Sequence, residues 1–210
     1  MRLKLLMLLS GLAWLLPETP VQADLAFFLT PAVQSGAASN EVVFTGTLIN
    51  TSLTDTLFLN GIQFSFIDLA ADYLVADTNV FFANVPGVLL PFETYSDVVF
   101  AVAVSPATPP GQYFGFVTLQ GGANIFASNN LTSPIFEVSV PLPALGITLS
   151  GSHLVLSWPW PSAGFRLWQN ADLTTTNWLM ITNTPAVTNW QNQVILPLAG
   201  TNSFYRLQSP

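Results

Sequence analysis

The chain has 210 residues, of which 50% are hydrophobic and 7% are charged, and its formal net charge is −7. A nucleic-acid-binding protein needs clustered lysine and arginine, so four such residues in the whole chain exclude that class. A disordered chain is excluded as well, because half of the residues are apolar and no long polar tract separates them. Since there is no cysteine, stability must come from burial rather than from disulfide bonds.

The first 23 residues have the three parts of a secretory signal peptide. Arg2 and Lys4 precede an apolar run over residues 5–16, and a polar segment then leads to the small residue Ala23. The run is shorter than the roughly 20 residues that a membrane-spanning helix needs. We therefore predict cleavage after Ala23, a secreted or periplasmic protein for which association with the cell surface is left open, and no membrane anchor in the mature chain. An uncleaved N-terminal anchor is the alternative.

The aromatic residues divide the remaining chain into two parts. Fourteen of the sixteen phenylalanines precede residue 140, whereas five tryptophans follow residue 150. Two cores with different filling indicate two domains, at residues 24–140 and 145–210. Residues 141–144 contain two prolines and predict a semi-rigid linker between them.

Strand patterns recur at short intervals in the first of these domains. A weak opening strand covers residues 25–29, and Asn60-Gly61 predicts a turn within residues 56–67. Pro109-Pro110-Gly111 predicts a turn that leads into a central strand, because both faces of the following segment are apolar. The other predicted strands cover residues 41–50, 95–105, 111–121 and 133–140. About seven strands in this length are typical of an immunoglobulin-like β-sandwich.

Residues 41–140 also resemble a known module. The segments FTGTLINTSLTDTLFLNGIQFSF and VPGVLLPFETYSDVVFAVAVSPATPPGQYFGFVTLQGGAN are similar to an immunoglobulin-like β-sandwich module of exported bacterial proteins, of the type associated with PEP-CTERM sorting. The resemblance implies a β-sandwich and no catalytic residues. The PEP-CTERM pattern itself, a Pro-Glu-Pro followed by an apolar helix and a basic tail, does not occur in this sequence.

The second domain is predicted to be a smaller antiparallel sandwich. Residues 146–158 predict a hairpin with its turn at Gly151-Ser152, and four further strands are predicted at residues 164–169, 177–181, 192–198 and 203–208. The LSW, GFRLWQ and FYRL strands resemble a short fibronectin type III-like C-terminal module that ends in FYRL. The last edge strand of a full fibronectin domain is missing, so this edge packs on the first domain or pairs with another chain. The fold class is therefore all-β, with two consecutive antiparallel β-sandwich domains after a signal peptide.

No catalytic set can be assembled from the sequence. His153 is the only histidine and lies at the predicted hairpin turn, and there is no G-x-S-x-G motif. One histidine without cysteine cannot form an ordinary zinc site. We therefore predict that the protein is not an enzyme. A small hydrolase would need two carboxylates facing each other across a cleft.

One acidic segment offers oxygen ligands at short spacing. Asp68, Asp72, Asp77 and Asn79 could hold calcium in a loop, although their spacing matches no defined calcium loop. The alternative is a solvated loop, because Asp and Asn are common in turns. No other cofactor is predicted.

The tryptophans of the second domain are the main candidates for ligand binding. Exposed indole rings are suited to stacking on sugars, and Trp160 and Trp190 are the members that we expect at the surface, whereas Trp158 should be buried. Arg166 and Trp168 share one strand face, so Arg206 on a neighbouring strand would complete an Arg-Trp-Arg stack. The predicted ligand site therefore comprises Trp160, Trp190, Arg166, Trp168 and Arg206. The alternatives are that the tryptophans fill the core of a small domain, and that the Arg-Trp-Arg stack is a structural cation–π contact.

The sequence as a whole predicts an exported, non-enzymatic structural or adhesive protein of the cell surface or extracellular matrix. The alternative is a carbohydrate-binding module that uses the exposed tryptophans of the second domain. The partner is then a protein or a glycan at the cell surface. The acidic balance disfavours nucleic acids and anionic membranes.

Overall fold

The computed structural model describes residues 25–162, 164–198, 200 and 202–209. The predicted signal peptide lies outside the described residues. Seventeen strands and two short helices account for most of the described chain. The fold class predicted from the sequence is confirmed: the chain is all-β, and its sheets pack as antiparallel sandwiches.

The first sandwich contains ten strands and both helices. Their bounds are β1 Leu25–Leu29, β2 Val33–Ser35, β3 Glu41–Asn50, β4 Leu57–Phe66, α1 Ala70–Tyr73, β5 Leu74–Asp77, α2 Thr78–Asn84, β6 Val88–Leu89, β7 Thr94–Val104, β8 Gly111–Gly122, β9 Asn129–Thr132 and β10 Ile135–Val140. One sheet has the order β1-β3-β7-β5 and the other has the order β2-β10-β8-β4-β6, with β9 on β8. Apart from β2, which runs parallel to β10, every pairing is antiparallel.

This strand order is that of the immunoglobulin fold. The first sheet reproduces the A-B-E-D order, and the second contains the G-F-C order with one added strand on each side. Tyr113 at the start of β8 donates its hydroxyl to the Pro109 carbonyl at 2.7 Å, which is the contact of a tyrosine corner. The predicted Pro109-Pro110-Gly111 turn therefore has a structural counterpart, and β8 is central as predicted, with β10 and β4 as its neighbours.

Phenylalanines join the two sheets of the first sandwich. Phe44 and Phe100 stack with ring centroids 4.7 Å apart, and Phe136 from the opposite sheet meets both rings edge-on at 5.3 and 5.2 Å. Each of the three side chains is at most 1% exposed. Burying an aromatic side chain of this size contributes about 2 to 3 kcal/mol, so this cluster is a main source of stability.

The predicted turn at Asn60-Gly61 is wrong. β4 runs through both residues, and its register with β8 shifts between Leu59 and Gly61, so Asn60 is the extra residue of a β-bulge. The Asn60 side-chain amide donates to the carbonyls of Asn124 and Ala127 at 2.9 and 2.8 Å. These bonds hold the loop after β8 against the bulge, which explains why an asparagine stands there.

The second sandwich contains seven strands. They are β11 Gly146–Ser150, β12 His153–Pro159, β13 Arg166–Asn170, β14 Leu179–Met180, β15 Ala186–Thr188, β16 Gln191–Pro197 and β17 Phe204–Gln208. The sheet orders are β11-β12-β16-β15 and β14-β13-β17. The predicted hairpin is present, because Ser150 pairs with His153 across Gly151-Ser152, and Gly151 has a φ of 59°. β15 was not predicted, since three residues carry too little alternation.

The second sandwich is centred on four buried side chains. Trp158 is 2% exposed, which confirms its predicted burial, and it packs with Leu156, Leu167 and Val194 from both sheets. Residues 141–145, between the two sandwiches, have no regular secondary structure.

Candidate functional site

Two tryptophans that were predicted at the surface lie next to each other in the second sandwich. Trp160 is 41% exposed and Trp190 is 72% exposed. Their ring centroids are 5.8 Å apart and their planes are inclined by 38°, so the pair forms one continuous apolar surface rather than two coplanar platforms. The Trp160 N–H also donates to the Trp190 carbonyl at 3.0 Å, which fixes the backbones beneath the rings.

The position of Trp190 follows from a tight hairpin turn. Thr188 pairs with Gln191, so Asn189 and Trp190 form a two-residue loop, and their φ angles are 50° and 60°. Two positive φ values define a type I′ turn, in which the second position is usually glycine. An indole there is conformationally costly, by about 1 kcal/mol or more. The turn presents the ring of Trp190 to solvent.

Beside this pair lies a shallow cavity of about 310 Å³. Trp160, Phe165, Arg166, Pro185 and Asn192 are among its lining residues. The structure therefore brings the predicted residue Arg166 next to Trp160. The Asn192 side-chain amide donates to the Pro159 carbonyl at 3.0 Å, so it holds the wall of the cavity. The Trp160 ring, the Arg166 guanidinium and the Asn192 side-chain amide thus line one concave surface. Such a surface can bind a polar ligand that also has flat apolar faces, because each kind of group finds a matching contact.

The predicted Arg-Trp-Arg stack differs from the contact in the structure. Trp168 pairs with Arg206 in register across β13 and β17, but the Arg206 guanidinium lies 4.2 Å from the centroid of the Trp178 ring. Arg206 also donates to the Gln208 side chain at 2.8 Å. Trp178 was not singled out from the sequence, because it precedes β14 and reaches Arg206 only through the fold.

The four predicted calcium ligands lie on separate local elements, and their calcium role stays a prediction. Asp72 belongs to α1, and Asp77 caps α2 by accepting a hydrogen bond from the Asn79 N–H at 2.8 Å. Asp68 lies in a turn with a φ of 49°. Among the described residues, no three acidic, histidine or cysteine side chains are close enough to hold a metal ion. α2 is capped because the Asp77 carboxylate satisfies a free backbone N–H of its first turn, whereas α1 has no side-chain cap.

His153 is exposed at the start of β12, as the turn position predicts. Its Nδ1 lies 3.4 Å from the hydroxyl of the neighbouring Ser152. Both groups belong to the hairpin turn and are open to solvent, and in the part of the chain that the structure describes no further hydrogen bond to the His153 ring is found.

A larger cleft of about 650 Å³ lies at one end of the second sandwich and was not predicted from the sequence. Its lining is mixed, with Asn170, Asp172, Asn177, Leu196 and Tyr205 among the contributors. Hydrogen bonds from the backbone N–H and then the hydroxyl of Thr174 lower the pKa of Asp172 below its ordinary value. The signal in the sequence was the spacing of Asn170, Asp172 and Thr174. The side chains of Asn170 and Asp172 accept from the backbone N–H groups of Asp172 and Thr174, and the Thr174 hydroxyl donates to the Asp172 carboxylate.

Within the described residues, no helix is long and apolar enough to cross a membrane.

Comparison with known proteins gives neither a family nor a curated relative. No family model matches the chain, and no curated protein matches it. One similar solved structure is the complex of CsuC and CsuE, the chaperone and tip adhesion subunit of archaic chaperone-usher Csu pili of Acinetobacter baumannii. It is 11% identical, the match covers 80% of this chain and 89% of that chain, and the TM-score is 0.29.

A second similar structure is the chaperone–tip adhesin complex of CFA/I fimbriae, with 12% identity, 86% and 84% coverage, and a TM-score of 0.30. The assignment of the immunoglobulin-like architecture rests on the strand pairings described above, not on these two similarities.

Proposed function

We propose that this protein is an exported, non-enzymatic structural or adhesive protein of the cell surface or extracellular matrix. It consists of an immunoglobulin-like module at residues 24–140 and a small fibronectin type III-like module at residues 145–210, joined by the proline-containing linker at 141–144. Its work is binding rather than catalysis, and its partner is a protein or a glycan.

The observation that carries this proposal is the apolar surface of the second sandwich. Large apolar side chains are exposed on both of its sheets, including Leu149 at 65%, Leu179 at 66%, Trp190 at 72% and Ile195 at 58%. Trp160 and Trp190 form a continuous part of this surface, and contiguous exposed apolar surface marks sites of protein or ligand contact. A module without lysine, and with only two arginines, presents this surface without strong attraction to nucleic acids.

The first test of this proposal is the location of the protein in its own cells. We expect an antibody against the mature chain to label intact cells or the matrix around them, and mass spectrometry to find Asp24 as the first residue. A strain that lacks the protein should adhere or aggregate less than its parent. Labelling only after the cells are broken open, with the leader retained, would contradict the proposal.

Carbohydrate binding is the second candidate, and the pairing of Trp160 with Trp190 favours it. Both rings are exposed, and together with Arg166 and Asn192 they supply the apolar and polar contacts that a sugar ring uses. Because the two ring planes are inclined by 38°, a ligand would contact them from the angle between the rings rather than lie flat across both.

A glycan array distinguishes the two candidates. The mature protein is compared with the double variant Trp160→Ala, Trp190→Ala and with Phe126→Ala, which removes an aromatic ring that is 87% exposed on the first sandwich. Binding that is lost only in the double variant assigns a sugar site to the tryptophan pair. No binding by any of the folded proteins removes this candidate and leaves a protein partner.

A further inference from the structure

The cleft of about 650 Å³ opens between the two sheets at the end of the second sandwich where β17 begins. Phe204 pairs with Asn170 at this end. Tyr205 from β17 and Leu196 from β16 line the cleft from the two sheets. A concave site of this volume is large enough for a small ligand or for a side chain of a partner.

The floor of the cleft is the edge of the hydrophobic core. Tyr205 and Leu196 both pack against the four buried side chains on which the second sandwich is centred. Leu179, which is 66% exposed, adds apolar surface at the rim. The cleft therefore offers contacts to the hydrocarbon part of a ligand.

A hydrogen-bonded loop over residues 170–175 forms the polar wall of the cleft. Asn170 is 6% exposed, and its side chain accepts from the Asp172 N–H at 3.1 Å and donates to the Thr175 carbonyl at 3.1 Å. The Asp172 carboxylate accepts from the N–H and from the hydroxyl of Thr174, both at 2.8 Å. These bonds position the carboxylate before a ligand binds, which reduces the entropic cost of binding.

One oxygen of this carboxylate is open to a ligand. Both bonds from Thr174 reach Oδ1, and Oδ2 of Asp172 accepts no hydrogen bond from any described residue. The bonds from Thr174 also lower the pKa of Asp172, so the carboxylate is charged at neutral pH. Asp172 is the one acidic side chain in residues 141–210. The negative charge of this module thus lies at its largest cleft.

The cleft has no positive group that would pair with Asp172. After residue 23, the basic side chains of the sequence are His153, Arg166 and Arg206, and none of them is among the described residues that line the cleft. The Arg206 guanidinium lies over the ring of Trp178 instead. An anionic ligand is therefore disfavoured, whereas a cationic group finds an opposite charge and an open acceptor.

We propose that this cleft binds a lysine or arginine side chain of a partner polypeptide. The charged group would pair with Asp172, and the methylene groups would lie on Leu196 and on the ring of Tyr205. The formal net charge of −7 further favours a cationic partner over a neutral one. This proposal rests on the proposed adhesive function and deepens it by stating the chemistry of a protein partner.

Two small probes that differ in charge test the cleft. Nα-acetyl-arginine methylamide carries the guanidinium group, and Nα-acetyl-citrulline methylamide carries a neutral urea of nearly the same shape. Each probe is titrated into ¹⁵N-labelled mature protein, and the amide chemical shifts are followed by nuclear magnetic resonance. We expect the arginine probe to shift the amides of residues 170–179 with a millimolar Kd, and the citrulline probe to bind about tenfold more weakly.

Two variants that each remove one negative charge locate the binding. Asp172→Asn keeps an acceptor oxygen for the N–H and hydroxyl of Thr174, so the loop stays folded, but the arginine probe should bind about tenfold more weakly. Glu41 is exposed on the first sandwich, and Glu41→Gln should bind the probe within about twofold of the parent. Equal weakening in both variants would show a general attraction of the probe to an acidic chain.

A second pair of variants tests the apolar part of the cleft. Leu179 and Leu149 are similarly exposed, at 66% and 65%, and of the two Leu179 lines the cleft. Leu179→Ala should weaken binding of the arginine probe about two- to fivefold, because part of the apolar contact is lost. Leu149→Ala should leave binding unchanged.

Four results would overturn the proposal. They are equal binding of the two probes, unchanged binding of the arginine probe in Asp172→Asn, no shift at residues 170–179 with about 50 mM arginine probe, and stronger shifts there with methyl glucoside. The last result would assign the cleft to a neutral sugar. None of them affects the surface location and adherence tested above, so the proposed function and this proposal can fail separately.

Discussion

The two sandwiches share one strand plan but differ in how far their cores are closed. Among the described residues, twenty-two side chains form the buried core of the first sandwich and four form that of the second. In the first sandwich, β8 pairs with a strand on each side. Its counterpart in the second sandwich, β17, pairs with a strand on one side only, as far as the described residues show. A closed sandwich of this kind supports itself by burial, and an open one keeps apolar surface available for contacts. From this difference we infer that the first sandwich is the more stable of the two, and that the proposed binding surface lies on the second.

Core truncation should separate the two sandwiches most strongly. Phe136→Ala removes a ring that meets Phe44 and Phe100, and we expect a loss of about 3 to 5 kcal/mol in a first sandwich that still folds. Leu156→Ala should cost about 2 to 5 kcal/mol and abolish the cooperative unfolding of the second sandwich, because few buried side chains remain. Differential scanning calorimetry measures both. An equally folded second sandwich after Leu156→Ala would show that its core is larger than the buried residues indicate.

The buried side-chain amide of Asn50 joins the end of β3 to two other loops of the first sandwich, and its removal tests how much these hydrogen bonds stabilise the fold. Asn50 is fully buried, and its side chain donates to the carbonyls of Asp55, Leu89 and Leu90 at 2.8, 3.0 and 3.2 Å. We expect Asn50→Ala to lower the free energy of unfolding by about 2 to 3 kcal/mol, since these acceptors lose their donor. Urea denaturation followed by circular dichroism measures the change.

The control for this variant is Asn84→Ala, which removes an exposed amide that bonds to the Val80 carbonyl. It should change stability by less than about 0.5 kcal/mol. Similar losses in both variants would mean that burial of Asn50 is not what makes it stabilising.

The tyrosine corner gives a smaller effect that is specific to the first sandwich. Tyr113→Phe removes the hydrogen bond to Pro109 and should cost about 1 kcal/mol. Burial also raises the pKa of Tyr113, with a further contribution from Tyr73, so its hydroxyl keeps its proton at neutral and moderately alkaline pH. Tyr205→Phe in the second sandwich is the matched control, and denaturation should show little change. A loss of the same size there would argue against a special role for the corner.

The smallest expected effect is a pH dependence of the second sandwich. The hydrogen bonds from Thr174 lower the pKa of Asp172 in the folded state. The ionised Asp172 therefore stabilises the folded protein at pH values above its pKa in the unfolded chain, about 4. This stabilisation is lost as the pH falls through the pKa of Asp172 in the folded protein. Thermal denaturation of Asp172→Asn should therefore differ from the parent at pH 6 and converge with it near pH 2. A constant difference across this range would contradict the role of its charge.

Much of the fold was predictable because alternation of apolar residues is a local signal. β3 was predicted with its bounds at residues 41–50, and the Gly151-Ser152 hairpin was also correct. The prediction of a turn at Asn60-Gly61 was wrong because turns and β-bulges favour the same residues. The hydrogen bonds from Asn60 to the carbonyls of Asn124 and Ala127, which are far away in the sequence, distinguish the bulge from a turn. The segment from Asp68 to Asn79 was expected to be a loop that either holds calcium or is solvated. It instead contains α1, β5 and the start of α2, whose Phe81 is buried in the core.

The candidate site was predictable in part for the same reason. Trp160 and Trp190 were predicted to be exposed, and the structure adds that they lie next to each other and that Trp190 occupies a tight turn. The contact of Arg206 with Trp178 joins residues on different strands, so no local pattern could identify it. The ligand role of these residues remains a prediction, as do the domain boundaries.

The separation of aromatic residues along the chain has a spectroscopic consequence. Within the described residues, every tryptophan lies in the second sandwich, whereas the first contains phenylalanine and tyrosine. Light at the red edge of protein absorption excites tryptophan alone, so the emitted fluorescence reports on the open sandwich without contribution from the closed one. The buried Trp158 and the exposed Trp190 should emit at different wavelengths. The protein thus carries its own optical label for the module that we expect to bind.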